Sequence, residues 1–144
     1  MKDAILIDID GTLAIRNGIR EPFDFNNVYL DKINKPLIKI LELLLANHEQ
    51  KNLQIIYLSG RPDSCEEETL RWLKDKISFY NSEHILLMRI TNDFRQDYIV
   101  KKEIYEQQIK DKYNVLAIFD DRNQVVNMWR EQNLLCLQVA EGNF

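Results

Sequence analysis

Glycine and proline are scarce, at four and three residues in a chain of 144, and no Pro/Gly/Ser-rich stretch, internal repeat or low-complexity tract breaks the rest. Collagen-like, linker-joined and solenoid architectures are excluded on that ground. Cysteine is nearly absent: Cys65 and Cys136 lie far apart, with no Cys-x-x-Cys or histidine-rich companion, so neither a disulfide framework nor a zinc site is indicated. Both read as plain thiols, Cys65 at a helix start and Cys136 in a core strand. The two histidines, His48 in a polar loop and His84 before an apolar run, share no motif, and neither reads as catalytic. Apolar runs such as Leu43–Ala46 reach only four or five residues, far short of the roughly 20 that span a bilayer. The N-terminus reads as a strand, and a cytoplasmic protein without a membrane partner is expected. Positive charge is not in excess either: 19 Lys and Arg against 23 Asp and Glu leave a formal charge of -4. No global basic field advertises a nucleic-acid or membrane binder, so any polyanion must be met by a local patch.

What is present is ordinary globular composition, 45% hydrophobic and 29% charged, at a length typical of a single domain, here residues 1–144. Ala4–Ile9 is a β-branched apolar run that stops at Asp10-Gly11, the pattern of a buried strand ending in a turn. Behind Pro36, Leu37, Ile40, Leu41, Leu44 and Leu45 follow helical spacing. Leu53–Leu58 reads as the next strand, followed by Ser59-Gly60-Arg61-Pro62. Ser64 opens a helical stretch whose first turn holds Glu66, Glu67 and Glu68, where the helix dipole favours anions. Strands follow at Ile85–Met88, Val115–Phe119 and Leu134–Val139, with helices from Asp97 (Val100, Ile104, Ile109) and around Val125, Val126 and Trp129. Alternating strands and helices imply a Rossmann-like, doubly wound parallel α/β sheet with helices on both faces. The segment from Ala14 to Lys35 is the one long loop, and its length makes it a functional candidate.

In such sheets ligands bind beyond the carboxyl ends of the strands. Those ends carry Asp8 with Asp10, Ser59 with Arg61, and Asp120 with Asp121. Buried apolar strands have no structural need for a carboxylate at each exit, and carboxylates gathered in one crevice repel unless a cation neutralises them. A hard divalent ion, Mg²⁺ first, suits an all-oxygen set better than zinc or iron. Ser59 and Lys101 add a hydroxyl and an ammonium that donate to phosphate oxygens, and Thr12 a further donor, so the set reads as a phosphoryl-transfer site. Two carboxylates one residue apart can hold different protonation states: one attacks phosphorus, the other moves the proton. Each motif alone also fits a turn, a calcium loop or a helix cap. An EF-hand is excluded, because position 12 counted from Asp8 is Ile19 rather than glutamate.

In order, Asp8-Ile9-Asp10-Gly11-Thr12-Leu13, Ser59, Lys101 and Asp120-Asp121 resemble the four motifs of the haloacid dehalogenase superfamily of phosphatases. More narrowly, Asp10–Ala14, Asn17-Gly18, Ser59-Gly60-Arg61, Val100–Ile104, Asp120–Val126, Met128–Arg130 and Gln138–Phe144 resemble the 3′-phosphatase domain of phage-type polynucleotide kinase-phosphatase. The resemblance is thinnest between Ser64 and Arg95. It implies Asp8 as nucleophile and Asp10 as general acid and base whose backbone carbonyl also binds Mg²⁺. Asp120 and Asp121 would be further metal residues, and Ser59 and Lys101 would hold the transferring phosphate. Arg61 and Arg20 would distinguish a polynucleotide substrate. The family pattern Asn-Gly-Arg stands here as Asn17-Gly18-Ile19-Arg20, so Arg16 remains an alternative to Arg20. Asp97 would pair with Lys101 across one helical turn. Arg122 would contact substrate or cap a helix.

The leading expectation is therefore a Mg²⁺-dependent phosphomonoesterase that removes a 3′-terminal phosphate from DNA or RNA ends through a phosphoaspartate. The short intervals between motifs leave no large cap domain, and an open crevice suits a polymer end. Arg20, Arg61, Arg89, Arg95 and Arg122 are expected to supply local positive charge. The alternatives are the same chemistry on nucleotides or other small phosphate esters, and a receiver-like module that stores phosphate on an aspartate as a switch. No Gly-x4-Gly-Lys-Ser/Thr loop is present, so the chain reads either as a free-standing phosphatase, with a kinase or ligase as partner on a separate chain, or as an excised domain.

Overall fold

The computed structural model describes residues 1–16, 18, 20–46 and 52–144. Asn17, Ile19 and His48, which the motif and histidine readings above involve, lie outside the described residues. Seven strands and four α-helices are described: β1 (Lys2–Ile7), β2 (Ala14–Ile15), β3 (Lys32–Ile33), α1 (Lys35–Ala46), β4 (Leu53–Pro62) and α2 (Glu66–Lys76) in the first half. β5 (Ile85–Arg89), α3 (Asp97–Ile104), β6 (Tyr113–Asp120), α4 (Asn123–Glu131) and β7 (Cys136–Gln138) complete the order. The main sheet has the order β5-β4-β1-β6-β7 with every pairing parallel. This is the expected doubly wound α/β fold.

Side-chain alternation along β1 sends its residues to two separate cores. Ile5 and Ile7 pack with Leu37, Ile38 and Leu41 of α1 and Trp72 and Leu73 of α2 on one face. Ala4 and Leu6 pack with Val100 and Ile104 of α3 and Val125 and Trp129 of α4 on the other. With both faces covered, the central strands read as continuous apolar runs. The chain builds β4 and β5 on one side of β1, then β6 and β7 on the other, so the strand order reverses beside β1. In open α/β sheets the ligand crevice forms at that reversal, here beyond the carboxyl ends of β1 and β6.

Several boundaries differ from expectation for identifiable reasons. β1 ends at Ile7, and Ile9 is buried in the following turn. β4 runs on through Pro62, with a register shift against β5 between Ser59 and Pro62. A bulge of this kind re-aims a side chain, and here it carries Arg61. A 3-10 turn at Asp63–Cys65 precedes α2, so Glu66 rather than Ser64 begins the helix. After α3 the chain makes a π-helical turn over Tyr105–Ile109, which matches the five-residue spacing of Ile104 and Ile109. The segment from Ala14 to Lys35 is not wholly irregular: β2 and β3 pair antiparallel, and Phe25–Leu30 is 3-10 helical. On α1 the buried face is Leu37, Ile38, Leu41 and Leu45, whereas Ile40 and Leu44 are exposed. An apolar helix of this composition offers two candidate faces, and docking on the sheet selects between them. No described helix is long and apolar enough to cross a membrane.

Candidate active site

The turn after β1 builds the first wall of the crevice. Asp8 N–H donates to Phe119 O at 2.9 Å, which ties the start of the turn to β6. Thr12 N–H and Ala14 N–H both donate to Ile9 O, and Gly11 N–H donates to Ala14 O, closing a tight loop. Gly11 takes φ +80°, and a Cβ built on it would stand 2.1 Å from Asp121 Oδ2. Glycine is therefore required both by the backbone and by the carboxylate lying against it.

Asp8, Asp120 and Asp121 converge here, all buried, with one oxygen from each lying within 4.8 Å of the others. One ammonium serves them: Lys101 Nζ donates to Asp8 Oδ1 at 2.8 Å and to Asp120 Oδ2 at 3.1 Å. Thr12 Oγ1 donates to Asp8 Oδ2 at 2.8 Å and lies 3.5 Å from Asp121 Oδ1. Among the described residues no Lys or Arg pairs with the Asp121 carboxylate within 4 Å; its near partners besides Thr12 are the Asp8 carboxyl and its own backbone N–H. Burial, with the neighbouring Asp120 charge, pushes the Asp8 and Asp121 carboxyls above their usual range. Burial opposes the charge on Lys101, but Asp120, Asp8 and Asp97 outweigh it and hold the ammonium protonated. Three carboxylates against one ammonium, one of them without a cationic partner among the described residues, fit a bound divalent cation; Asp8, Asp120 and Asp121 would hold it.

Asp10 faces the other way. Arg61 grips its carboxylate through Nε to Oδ2 at 2.9 Å and Nη2 to Oδ1 at 2.8 Å, and Arg20 Nη2 adds a contact at 3.1 Å. Burial works to raise the Asp10 carboxyl, yet the two guanidiniums win and lower it. Both arginines are held from behind by Asp31. Arg20 donates to it from Nε at 2.7 Å and Nη2 at 2.8 Å, and Arg61 Nη2 reaches it at 3.2 Å. Asp31 is 1% exposed. Thr69 Oγ1 accepts a further bond from Arg61 Nη1. Ser59 is buried, its hydroxyl oxygen accepting from Arg61 N–H at 3.1 Å.

Of the residues expected at the site, Asp8, Asp120, Asp121, Lys101 and Thr12 form one group, and Asp10, Arg61 and Arg20 an adjoining one. The Asp10 carboxylate stands apart from the metal-type group. Arg20, rather than the exposed Arg16, is the loop arginine that meets Asp10. Thr12, expected as a substrate-binding donor, donates to Asp8. Asp97 lies 3.5 Å from Lys101 across one turn of α3, and the missing side chain of Gly60 leaves room for it. Arg122 points to the chain end, with Nε donating to Phe144 O at 2.8 Å and Nη1 3.9 Å from Asp97. The expected reserve of positive charge is largely committed internally. Arg20 and Arg61 are paired as above, Arg95 pairs with Asp93 and Glu103, and Arg89 pairs with Asp97.

Two residues in these networks carried no specific role in the motif reading. Asp31 sits in the long loop outside any motif. Only the need of two buried arginines for a carboxylate pointed toward it. Arg89 stands at the end of β5, where the strand-exit rule applies; its Nε donates to Gly60 O and its Nη1 to the carbonyls of Asp93 and Arg95.

Comparison with known proteins follows the same lines. The family model described as the polynucleotide kinase PNKP phosphatase domain matches residues 2–144. A putative bifunctional polynucleotide kinase/RNA ligase of Autographa californica nuclear polyhedrosis virus is 35% identical over 129 residues, covering 89% of this chain and 18% of that protein. A solved chain from the Pnkp1/Rnl/Hen1 RNA repair complex superimposes with TM-score 0.87 at 41% identity, covering 99% of this chain and 44% of that one. Another, from a Pnkp1/Rnl/Hen1 complex, gives TM-score 0.86 at 42% identity over 100% of this chain and 48% of that one. The chain thus spans about a fifth of the viral relative and less than half of each solved chain.

Proposed function

We propose, for a chain that belongs to the polynucleotide kinase phosphatase-domain family, that it is a Mg²⁺-dependent phosphomonoesterase releasing the 3′-terminal phosphate of DNA or RNA ends through a phosphoaspartate. The observation that carries the reading is the division of labour between Asp8 and Asp10. Asp8 sits buried between an ammonium and a hydroxyl in an acidic cluster; Asp10 is held by two guanidiniums beside it.

Asp8, Asp120 and Asp121 would hold Mg²⁺, with the Asp10 backbone carbonyl as the further expected ligand. When bound, the ion offsets the charge of these carboxylates and of the incoming phosphate. Lys101 and Thr12 orient the Asp8 carboxylate, and an Asp8 oxygen forms the new bond to phosphorus as the ester P–O bond breaks. Asp10 supplies the proton to the departing 3′ oxygen. For that it must first be protonated, and the guanidiniums keep it ionised in this structure. An arriving phosphate draws Arg61 and Arg20 onto its own oxygens and so frees Asp10 to take up the proton. In the second half, the Asp10 carboxylate takes a proton from water, whose oxygen attacks phosphorus. Inorganic phosphate leaves and the Asp8 carboxylate is regenerated. Ser59 and Lys101 donate to phosphate oxygens throughout. Between β1 and α1 the described residues form β2, β3 and a 3-10 segment, which supports the reading of a crevice without a large cap domain. We assign kinase and ligase steps, named for the relatives above, to regions outside residues 1–144.

The test measures phosphate release from matched oligonucleotides bearing 3′- or 5′-phosphate, with and without Mg²⁺, for the wild type and Asp8→Asn. Release from the 3′ end alone, requiring Mg²⁺ and abolished in Asp8→Asn, is expected. Release from the 5′ end, or undiminished turnover in Asp8→Asn, overturns the reading. Comparable activity on mononucleotides would favour small phosphate esters as the substrate class.

A further inference from the structure

We infer that the β2–β3 ribbon and the first residue of α1 form a backbone-binding track, made by Arg16, Lys32 and Lys35, for the single-stranded nucleotides preceding the reacting 3′ end. This inference rests on the polynucleotide reading above and extends it to a surface outside the site.

A chain of net charge -4 must attract a polyanion locally, and most of the positive charge near the crevice is already in use. Arg20 and Arg61 are committed to Asp10 and Asp31, Arg89 to Asp97, and Arg95 to Asp93 and Glu103. Arg122 is engaged by the Phe144 carbonyl and lies over the Phe144 ring at 5.0 Å. Arg20 and Arg61 are buried, with their guanidiniums on Asp10 and Asp31, and so serve only a phosphate that meets Asp10.

Arg16, Lys32 and Lys35 are exposed, and among the described residues none of them has an ion-pair partner. Their placement follows from backbone contacts with the catalytic loop. Ala14 bridges to Asp10, and Arg16 lies two residues beyond it, roughly 7 Å along an extended chain. Ile15 pairs with Lys32 across the ribbon. Asn34 N–H donates to Leu13 O at 2.8 Å and its side-chain amide to Thr12 O at 3.0 Å. These bonds fix the start of α1, and with it Lys35, against the loop that presents Asp8. Lys39, one helical turn farther, already has Glu42 at 3.8 Å and falls outside the track. Glu21 in the same loop is exposed, and the half-buried Asp24 accepts from Asn27. Three uncommitted cations are therefore carried by backbone bridged or hydrogen-bonded to the loop that holds Asp8 and Asp10, a placement suited to the phosphates preceding the one at Asp8.

The experiment compares wild type with the triple variant Arg16→Gln/Lys32→Gln/Lys35→Gln on a 3′-phosphorylated oligonucleotide of about 12 residues and on a nucleoside 3′-monophosphate, across salt concentrations. The variant should raise KM for the oligonucleotide about tenfold at low salt. It should flatten the slope of log(kcat/KM) against log[salt] by about 2, near 0.7 for each single-strand phosphate that the variant no longer neutralises. Kinetics on the monophosphate should not change. Unchanged oligonucleotide KM and slope overturn the track, and so does an equal loss on both substrates. Fluorescence anisotropy with a labelled oligonucleotide ending in a 3′-hydroxyl gives an answer independent of turnover: weaker binding by the variant supports the track, and equal binding overturns it. A wild type that binds the oligonucleotide through these residues yet releases no phosphate would sink the phosphatase reading and leave the track standing.

Discussion

Two groups of charge, buried except for the Asp10 carboxylate, lie side by side at the carboxyl end of the sheet, and the residues that begin them, Asp8 and Asp10, are separated only by Ile9. Around Asp10, two guanidiniums meet two carboxylates, and most donors find an acceptor in bidentate or near-bidentate geometry. Around Asp8, the ammonium of Lys101 is shared by Asp8 and Asp120, with Asp97 at 3.5 Å also facing Arg89 and Arg122, and Asp121 has no cationic partner among the described residues. The first group is closed on itself and suited to hold shape until a phosphate competes for its arginines. The second carries an excess of negative charge that the protein alone does not relieve. Buried charge can thus be structural or receptive within a span of three residues, and the balance of partners distinguishes the two.

Substitution should separate these behaviours. The largest effect is expected for Asp8→Asn: turnover falls by about 10³-fold or more, whereas removing one of three like charges raises the melting temperature in EDTA. Steady-state phosphate release and a thermal melt measure both, and a lowered melting temperature would break the comparison. Asp31→Asn acts on the balanced group in the opposite sense. Two buried guanidiniums lose their rear carboxylate, with an expected cost of about 3 kcal/mol in urea unfolding. A neutral effect would mean that the arginines are held by Asp10 alone.

Magnesium should sharpen the contrast further. At about 100 times its dissociation constant the ion should add about 2.7 kcal/mol of stability to the wild type. The same gain is expected in Asp31→Asn, and much less in Asp121→Asn, when melts with Mg²⁺ and with EDTA are compared. Equal gains in both variants would remove Asp121 from the metal site. A last effect lies away from both groups. His84 hydrogen-bonds Tyr57 Oη at 2.8 Å, and burial pushes its pKa down to about 4 from 6.5. The unfolded chain binds the proton more readily, so stability should rise with pH between about 4 and about 6.5 and level off above. His84→Gln should flatten that slope in melts across this range, which gives the background for reading titration of the two acidic groups.

Much of the fold was legible because strand and helix periods differ and because both faces of a parallel sheet must be apolar. Asp8, Ser59, Asp120 and Asp121 were visible as polar residues where apolar runs stop. The α1 face was not, since Ile38 and Ile40 are equally apolar and only contact with the sheet buries one of them. Asp31 was not visible either, because it lies in a loop without a periodic pattern and its partners come from β4 and from the opposite side of that loop.

The sequence by itself determined the layered α/β architecture, the strand exits that carry acids, and the local need for Gly11, because these follow from patterning over a few residues. Tertiary structure alone decided that Asp10 would face Arg20 and Arg61 and that Asp31 would lie behind both arginines. It also decided that Lys101 would be shared by Asp8 and Asp120. Electrostatic partnership depends on distance in space, and the bulge at Gly60-Arg61, together with the β2–β3 loop, brings together charges that stand tens of residues apart in the chain.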